Sequence, residues 1–283
     1  MNSKELKNLI KEKRTLLCVG LDTDINLIPE HLKKEENPIF EFNKQIIDAT
    51  HQYAIAFKAN TAFYEACGVK GWEALEKTSK YIKQNYPDIL TIADAKRGDI
   101  GNTSKMYAKA FFDDMNFDAI TITPYMGKDT AEPFLEYKDK WVILLALSSN
   151  PSAFDLQLIQ ETGSREYVFE KVIKYGQWWG TEDNIMYVVG AMMAYKLQQI
   201  RHIVPDHFLL VPGIGSQGGN LKDVCDFGLN KNYGLIINAS RSIIYADNTE
   251  NFAQRAREEA EKLQQQMDVI LTEFEVEQKR KFK

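Results

Sequence analysis

The sequence predicts an α/β fold, a single (β/α)8 TIM barrel, on three observations. Eight short apolar runs recur along the chain, helical patterns lie between most of them, and polar residues gather where the runs end. The runs span residues 16–21, 53–58, 89–94, 119–123, 142–147, 185–190, 208–212 and 235–239. Their hydrophobicity is continuous rather than alternating, as in strands of a parallel sheet buried on both faces. Eight β-then-α units in one chain favour closure into a barrel over an open doubly wound sheet.

The helical segments follow the 3.6-residue period. Over residues 251–274, Phe252, Ala256, Ala260, Leu263, Met267, Leu271 and Phe274 recur at steps of three and four, so one apolar stripe faces a core. The stripe is short for a coiled-coil seam. A second amphipathic helix is predicted over 164–179, inside the longest connection, with the Trp178-Trp179 pair serving as packing. The first residues, from Met1 to Leu6, open a third amphipathic helix. With no repeat, low-complexity tract or Pro/Ser-rich linker, residues 1–283 are expected to form one domain, a length within the range of a single α/β barrel.

Composition narrows the partners. A 44% hydrophobic share supports a large core, and a net charge of -5 without a basic stripe argues against nucleic acid. An anionic substrate must therefore be held by local cations. Cys18, Cys67 and Cys225 lack metal-ligand spacing and suggest no disulfide framework, and Cys18 reads as a small buried thiol. With no signal peptide and no spanning segment visible, no membrane contact is expected, and a cytoplasmic location is.

In such a barrel chemistry gathers at the C-terminal ends of the strands. The first run ends at Asp22, the second at Lys58-Ala59-Asn60, and the third at Asp94-Ala95-Lys96-Arg97-Gly98-Asp99. The fifth ends at Ser148-Ser149-Asn150-Pro151, the seventh in residues 212–219, and the eighth at Ser240-Arg241-Ser242. A charge that ends an apolar strand is costly to desolvate unless paired, and several on one rim point to a site rather than to scattered structural ion pairs. Asp94 and Lys96 are two apart, so in an extended chain they point the same way, with Asp99 just beyond. Two carboxylates flanking one ammonium would keep the lysine protonated and make the site repel an incoming carboxylate; such a lysine can protonate a carbanion. Arg97 reads as a solvated surface charge. Four glycines in 212–219, followed by Arg241, suggest a phosphate site at the place where barrels commonly hold one.

At these residues the chain resembles the orotidine 5'-monophosphate decarboxylase family, in its longer bacterial branch. The hallmark Asp-x-Lys-x-x-Asp is matched by Asp94, Lys96 and Asp99, and the match continues in Ile100 and Thr103. It extends through Pro212-Gly213-Ile214-Gly215-Ser216-Gln217-Gly218-Gly219 and Arg241-Ser242-Ile243, and residues 57–68 and 124–127 resemble the longer branch. The resemblance implies that Lys96 protonates C6 of the pyrimidine as carbon dioxide departs, with Asp94 against the substrate carboxylate. It implies that Asp99, Ile100 and Thr103 reach into a partner's site, giving a homodimer with shared active sites. It further implies that Asp22 and Lys58 bind ribose hydroxyls, Ser149 the ring, and Gln217 and Arg241 the phosphate, with Pro212 and Gly218 lining that loop. Ser152, where relatives carry glycine, and Met192, where threonine is common, depart from the pattern and bear only on local loop shape.

No cofactor and no metal are expected. Decarboxylation would leave a vinylic carbanion without an enolate-type sink, so electrostatics and remote binding energy must supply the rate, and a segment such as 213–220 could close over the phosphate. Two rivals remain. Mg-dependent phosphosugar lyases of the same superfamily share Asp-x-Lys-x-x-Asp but place a glutamate where Lys58 stands here, and a cation there would repel the ion. A non-catalytic nucleotide-binding barrel would have lost one of Asp94, Lys96 and Asp99, all of which are present. Because the first strand begins within twenty residues, no N-terminal transferase domain is expected.

Overall fold

Eight parallel strands close into one barrel in sequence order. They are β1 (Leu17–Gly20), β2 (Ala56–Asn60), β3 (Leu90–Arg97), β4 (Ala119–Ile122), β5 (Trp141–Leu147), β6 (Ile185–Val189), β7 (Leu209–Pro212) and β8 (Leu235–Ala239). This computed structural model describes residues 1–214 and 218–281. Closure is made by β1, which sets Cys18 beside Ala56 of β2 and Leu17 beside Ile237 of β8. Strands β1, β4, β6 and β8 are buried throughout. One face of each fills the barrel and the other lies beneath helices, which is why their hydrophobicity does not alternate.

All eight predicted runs are strands. The largest shift of a strand start is at β2, which begins at Ala56 because His51–Tyr53 forms a 3-10 turn at the end of the helix Pro38–Thr50. Strand β3 runs on to Arg97, so it carries Asp94 and Lys96 within its length.

The helices pack as their stripes demand. Asn2 caps Ser3–Lys13 in a reciprocal box with Glu5, at 2.8 and 2.9 Å. The last helix, Phe252–Lys281, is longer than the stripe that predicts it. Phe252, Ala256, Ala260, Met267 and Leu271 are buried, while Leu263 and Phe274 are partly buried against the core. Phe252 stacks on Phe42 of Pro38–Thr50 at 5.1 Å between ring centres, and Arg14 holds Asp268 at 2.6 Å and Glu275 at 2.8 Å. The stripe is therefore a core face.

Two expectations are corrected. The helix predicted over 164–179 begins only at Val168, because Tyr167 is extended, bridged to Gln160, and caps the helix together with Glu170. Of the tryptophan pair, only Trp179 packs inward; Trp178 is 76% exposed and meets Tyr175 edge-on at 5.2 Å. Cys18 is buried as expected, and burial pushes its thiol up to about 12, so it is inert at neutral pH. Among the described residues no helix is long and apolar enough to cross a membrane.

Candidate active site

The C-terminal strand ends surround a cavity of about 300 Å³. Asp22, Lys58, Asn60, Asp94 and Lys96 form one side, while Ser148, Ser149, Pro212, Gly213, Asn238, Ser240 and Arg241 line the rest over an apolar wall of Leu145, Val188 and Leu210. A larger cleft of about 530 Å³ lies by the N-terminal helix, beside Lys13, His51 and Asp88. Charge decides between them, since of the two the smaller cavity gathers mutually paired ionisable groups around the buried Lys58.

Those groups form a row of alternating sign. Lys58 Nζ lies 3.5 Å from Asp22 Oδ1 and 3.1 Å from Asp94 Oδ2, and Lys96 Nζ lies 2.6 Å from Asp94 Oδ1. Lys58 is 2% exposed, a position that would cost several kcal/mol for an unpaired charge. Burial works to lower its pKa, but the charges of Asp22 and Asp94 outweigh burial and raise it. At Asp94 burial works to raise the pKa, yet Lys58 and Lys96 outweigh it and hold the carboxyl well below the usual range. Lys58 and Asp94 thus stand charged at neutral pH, and the ammonium of Lys58 occupies the space between the carboxylates of Asp22 and Asp94, where a divalent cation would have to sit.

Asp94 and Lys96 meet as the two-residue spacing predicts, though not through a regular pleat. Strand β3 advances four positions, from Ala93 to Arg97, while β4 advances two, from Ile120 to Ile122, so a bulge carries the pair. Within it Lys96 adopts a left-handed φ of 45°, a conformation that costs a lysine about 1–3 kcal/mol and survives only where its surroundings enforce it. The enforcing group is Thr121 of β4, whose hydroxyl accepts the Lys96 N–H at 3.0 Å and donates to Asp94 Oδ1 at 2.9 Å.

Arg97 corrects the sequence reading. Its guanidinium pairs with Glu65 and lies over the rings of Tyr107 at 5.3 Å and Phe111 at 5.6 Å, a packed cation rather than a solvated one. The chain then turns away from the cavity. Asp99 accepts the N–H of Ile100 at 2.7 Å, Ile100 is 49% exposed, and Thr103 is exposed on the helix Gly101–Ala108. Within one chain, therefore, Lys96 is flanked by one carboxylate and not two.

On the opposite rim, Gly213 takes a φ of 105° beside Pro212, and the N–H of Gly219 returns to its carbonyl at 3.1 Å. A Cβ on Gly219 would lie 2.5 Å from that of Ala191, so glycine is required there. Gly218 is exposed with a φ of 84°, near Met192. Gln217, with Gly215 and Ser216, lies outside the described residues, so the predicted closing segment is described only at its ends. The first N–H groups of the helix Leu221–Gly228 are committed to the side chain of Asn220, at 2.8 and 3.2 Å. Arg241, exposed at the cavity rim, forms no ion pair with the described residues. Ser149 Oγ is buried without a partner among them, and Gly190 makes room for it, since a Cβ there would come within 2.0 Å of that oxygen. Ser152 has an ordinary φ of -72° and leads into the short helix Ala153–Leu156, so this loop needs no glycine.

Several site residues escape the sequence reading. Thr121 and Asn238 are single polar residues within otherwise apolar strands, and that interruption is the signal in the sequence that marks them. Tyr245 is another: its hydroxyl donates to the Asp22 carbonyl at 3.0 Å and accepts the Asp24 N–H at 2.6 Å, pinning the turn that presents Asp22.

Known proteins resemble this chain over nearly its whole length. The model of the orotidine 5'-phosphate decarboxylase / HUMPS family matches residues 15–256. A protein of Phocaeicola vulgatus named orotidine 5'-phosphate decarboxylase is 59% identical over 271 residues, covering 96% of this chain and 99% of its own. One of Christiangramia forsetii with the same name is 58% identical, covering 94% and 97%. The solved Leishmania donovani OMP decarboxylase superposes with a TM-score of 0.81 at 35% identity, over 95% of this chain and 99% of that one. The chain belongs to the orotidine 5'-phosphate decarboxylase / HUMPS family.

Proposed function

We infer that this chain is a carboxy-lyase that converts orotidine 5'-phosphate to UMP and carbon dioxide, the last step of de novo pyrimidine synthesis. The observation that carries the reading is the row Asp22–Lys58–Asp94–Lys96 along one wall of a single cavity, in a chain 59% identical to a protein of that name. With the substrate carboxylate set beside Asp94, ground-state repulsion is relieved as the C6–carboxyl bond breaks. Carbon dioxide leaves toward the apolar wall of Leu145, Val188 and Leu210, and the electron pair stays on C6. The ammonium of Lys96 then delivers its proton to C6 and is recharged from solvent. The site needs no metal in this scheme, because Lys58 already supplies the charge between the carboxylates.

The remaining roles belong to the same proposal. Asp22 and Lys58 bind ribose hydroxyls, and Ser149, whose buried hydroxyl lacks a partner among the described residues, bonds the pyrimidine. Arg241 and the loop beginning at Pro212, with Gln217 and Gly218, hold the phosphate, whose binding energy orients the reacting end. Asp99, Ile100 and Thr103, turned out of their own cavity, complete the site of a second copy, so the active unit is a homodimer. We place the protein in the cytoplasm, with residues 1–283 acting as one domain.

The test follows the loss of orotidylate absorbance with purified protein and no added metal. Turnover that survives a chelator is expected. Folded protein without turnover would sink the assignment, and activity abolished by the chelator would favour the magnesium-dependent relatives.

A further inference from the structure

We propose that Thr121 is a positioning residue for the decarboxylation, its hydroxyl tying the carboxylate of Asp94 to the backbone of Lys96. The inference rests on the reading of Asp94 as the neighbour of the substrate carboxylate and Lys96 as the proton donor. Thr121 is fully buried in a strand whose other residues, Ala119, Ile120 and Ile122, are aliphatic and also buried. Valine would fill the same space without a polar atom to satisfy, so what threonine adds at this position is its two hydrogen bonds.

The direction of those bonds is fixed by chemistry. The Lys96 N–H, 3.0 Å away, can only donate, so the Thr121 oxygen accepts from it. The one hydroxyl proton is then left for Asp94 Oδ1 at 2.9 Å, which as a carboxylate oxygen can only accept. The same Oδ1 receives Lys96 Nζ at 2.6 Å. Main chain and side chain of Lys96 are thus both referred to one carboxylate oxygen, the first through Thr121 and the second directly. The β3–β4 ladder is interrupted at this point, and Lys96 is held in its left-handed conformation. Without the bridge, the lysine could relax from that conformation, and its ammonium would move relative to the carboxylate it must serve.

Among the described residues the Thr121 hydroxyl bonds Lys96 and Asp94 and none of the groups proposed to hold ribose or phosphate, which separates its effect from binding. We expect Thr121→Val to lower kcat by about 10- to 100-fold, the scale of an ångström-sized misplacement, with KM for orotidine 5'-phosphate and calorimetric affinity for UMP both within about threefold of wild type. Thr121→Ser, which restores donor and acceptor, should return kcat to within about threefold. Wild-type kcat in Thr121→Val overturns the bridge, as does Thr121→Ser falling equally far or UMP affinity falling in step with kcat. Should Thr121→Val not fold, Thr121→Cys carries the same comparison with a weak donor: kcat below that of Thr121→Ser supports the bridge, and equal kcat overturns it. An inactive wild-type protein would overturn the reading of the site as a whole, whereas an active one beside an equally active Thr121→Val overturns the bridge alone.

Discussion

Lys58 stands diagonal to Asp94 across two paired strands: the register sets Asn60 of β2 beside Asp94 of β3, and Lys58 Nζ reaches back to within 3.1 Å of Asp94 Oδ2. Its other neighbour, Asp22, arrives from the end of β1 at 3.5 Å. One buried ammonium thus stands between two carboxylates that would otherwise face each other across the cavity wall.

Removing that cation should unbalance the wall in a pH-dependent way. Lys58→Met keeps the volume but leaves two partly buried carboxylates without their shared cation, and removing one partner of a buried ion pair costs up to about 3–5 kcal/mol. In the variant Asp94 keeps Lys96 but loses Lys58, so its carboxyl rises from its depressed position toward the ordinary one. The stability that the depression contributes is present above the unfolded value and is lost as pH falls through the folded one, so the variant's smaller contribution matters most at neutral pH. Thermal melts of both proteins should show a gap at pH 7.5 that narrows as pH falls toward and below the ordinary aspartate value of about 3.9. A gap independent of pH would mean that the carboxylates do not depend on Lys58.

How far the sequence carried this picture follows from which forces are local. The strands were legible because burial on both faces leaves continuous apolar runs, and the charged row was legible because a strand-end charge must be paired. The bulge at Lys96 was not, since the mismatch of four positions against two exists only between β3 and β4. Arg97 was misread for a related reason: Glu65, Tyr107 and Phe111 come to it from other segments of the chain. Trp178 failed the other way, since a tryptophan pair in a helix reads as core, yet adjacent residues on a helix cannot share one face.

Lys96 and Arg241 should separate chemistry from binding. Lys96→Ala removes the only proposed proton donor, and kcat should fall by at least about 10³-fold, within the range for losing a general acid. Arg241→Ala removes a charge-assisted phosphate contact remote from C6, and KM should rise by about 10- to 100-fold, equivalent to roughly 1.5–3 kcal/mol. Steady-state kinetics on the two variants decide this. Mild and equal effects on both constants would contradict the division of roles.

At the far end of the barrel, His207 makes a separate prediction about stability. It is 7% exposed, its ring lies 5.5 Å from that of Tyr187, and neither ring nitrogen has a partner among the described residues. Burial lowers its pKa; Arg201 adds to this, against the opposing charges of Glu182, Asp206 and Asp183. Below the ordinary value of about 6.5 the unfolded chain binds a proton that the folded chain resists, so stability falls as pH drops through that point. His207→Phe removes the effect, and its Tm should decline less than that of wild type between pH 7.5 and 5.5. Parallel declines would show that His207 titrates freely in the fold.

The position of Asp99 leads to the last prediction, on assembly. Its carboxylate is turned to the Ile100 N–H and away from the cavity that holds Lys96 of the same chain. If it serves a second copy, Lys96→Ala and Asp99→Ala homodimers each carry two crippled sites. Mixing them with exchange of subunits makes a hybrid whose one site joins a wild-type Lys96 to a wild-type Asp99, while the other site lacks both. Random exchange makes half of the dimers hybrid, so activity should recover to roughly a quarter of wild type, from two proteins each nearly inactive alone. Recovery should grow with the rate of subunit exchange and vanish when cross-linking precedes mixing. Exchanged mixtures that stay inactive would place Asp99 outside the partner's site, and recovery in the cross-linked control would place the complementation outside the dimer.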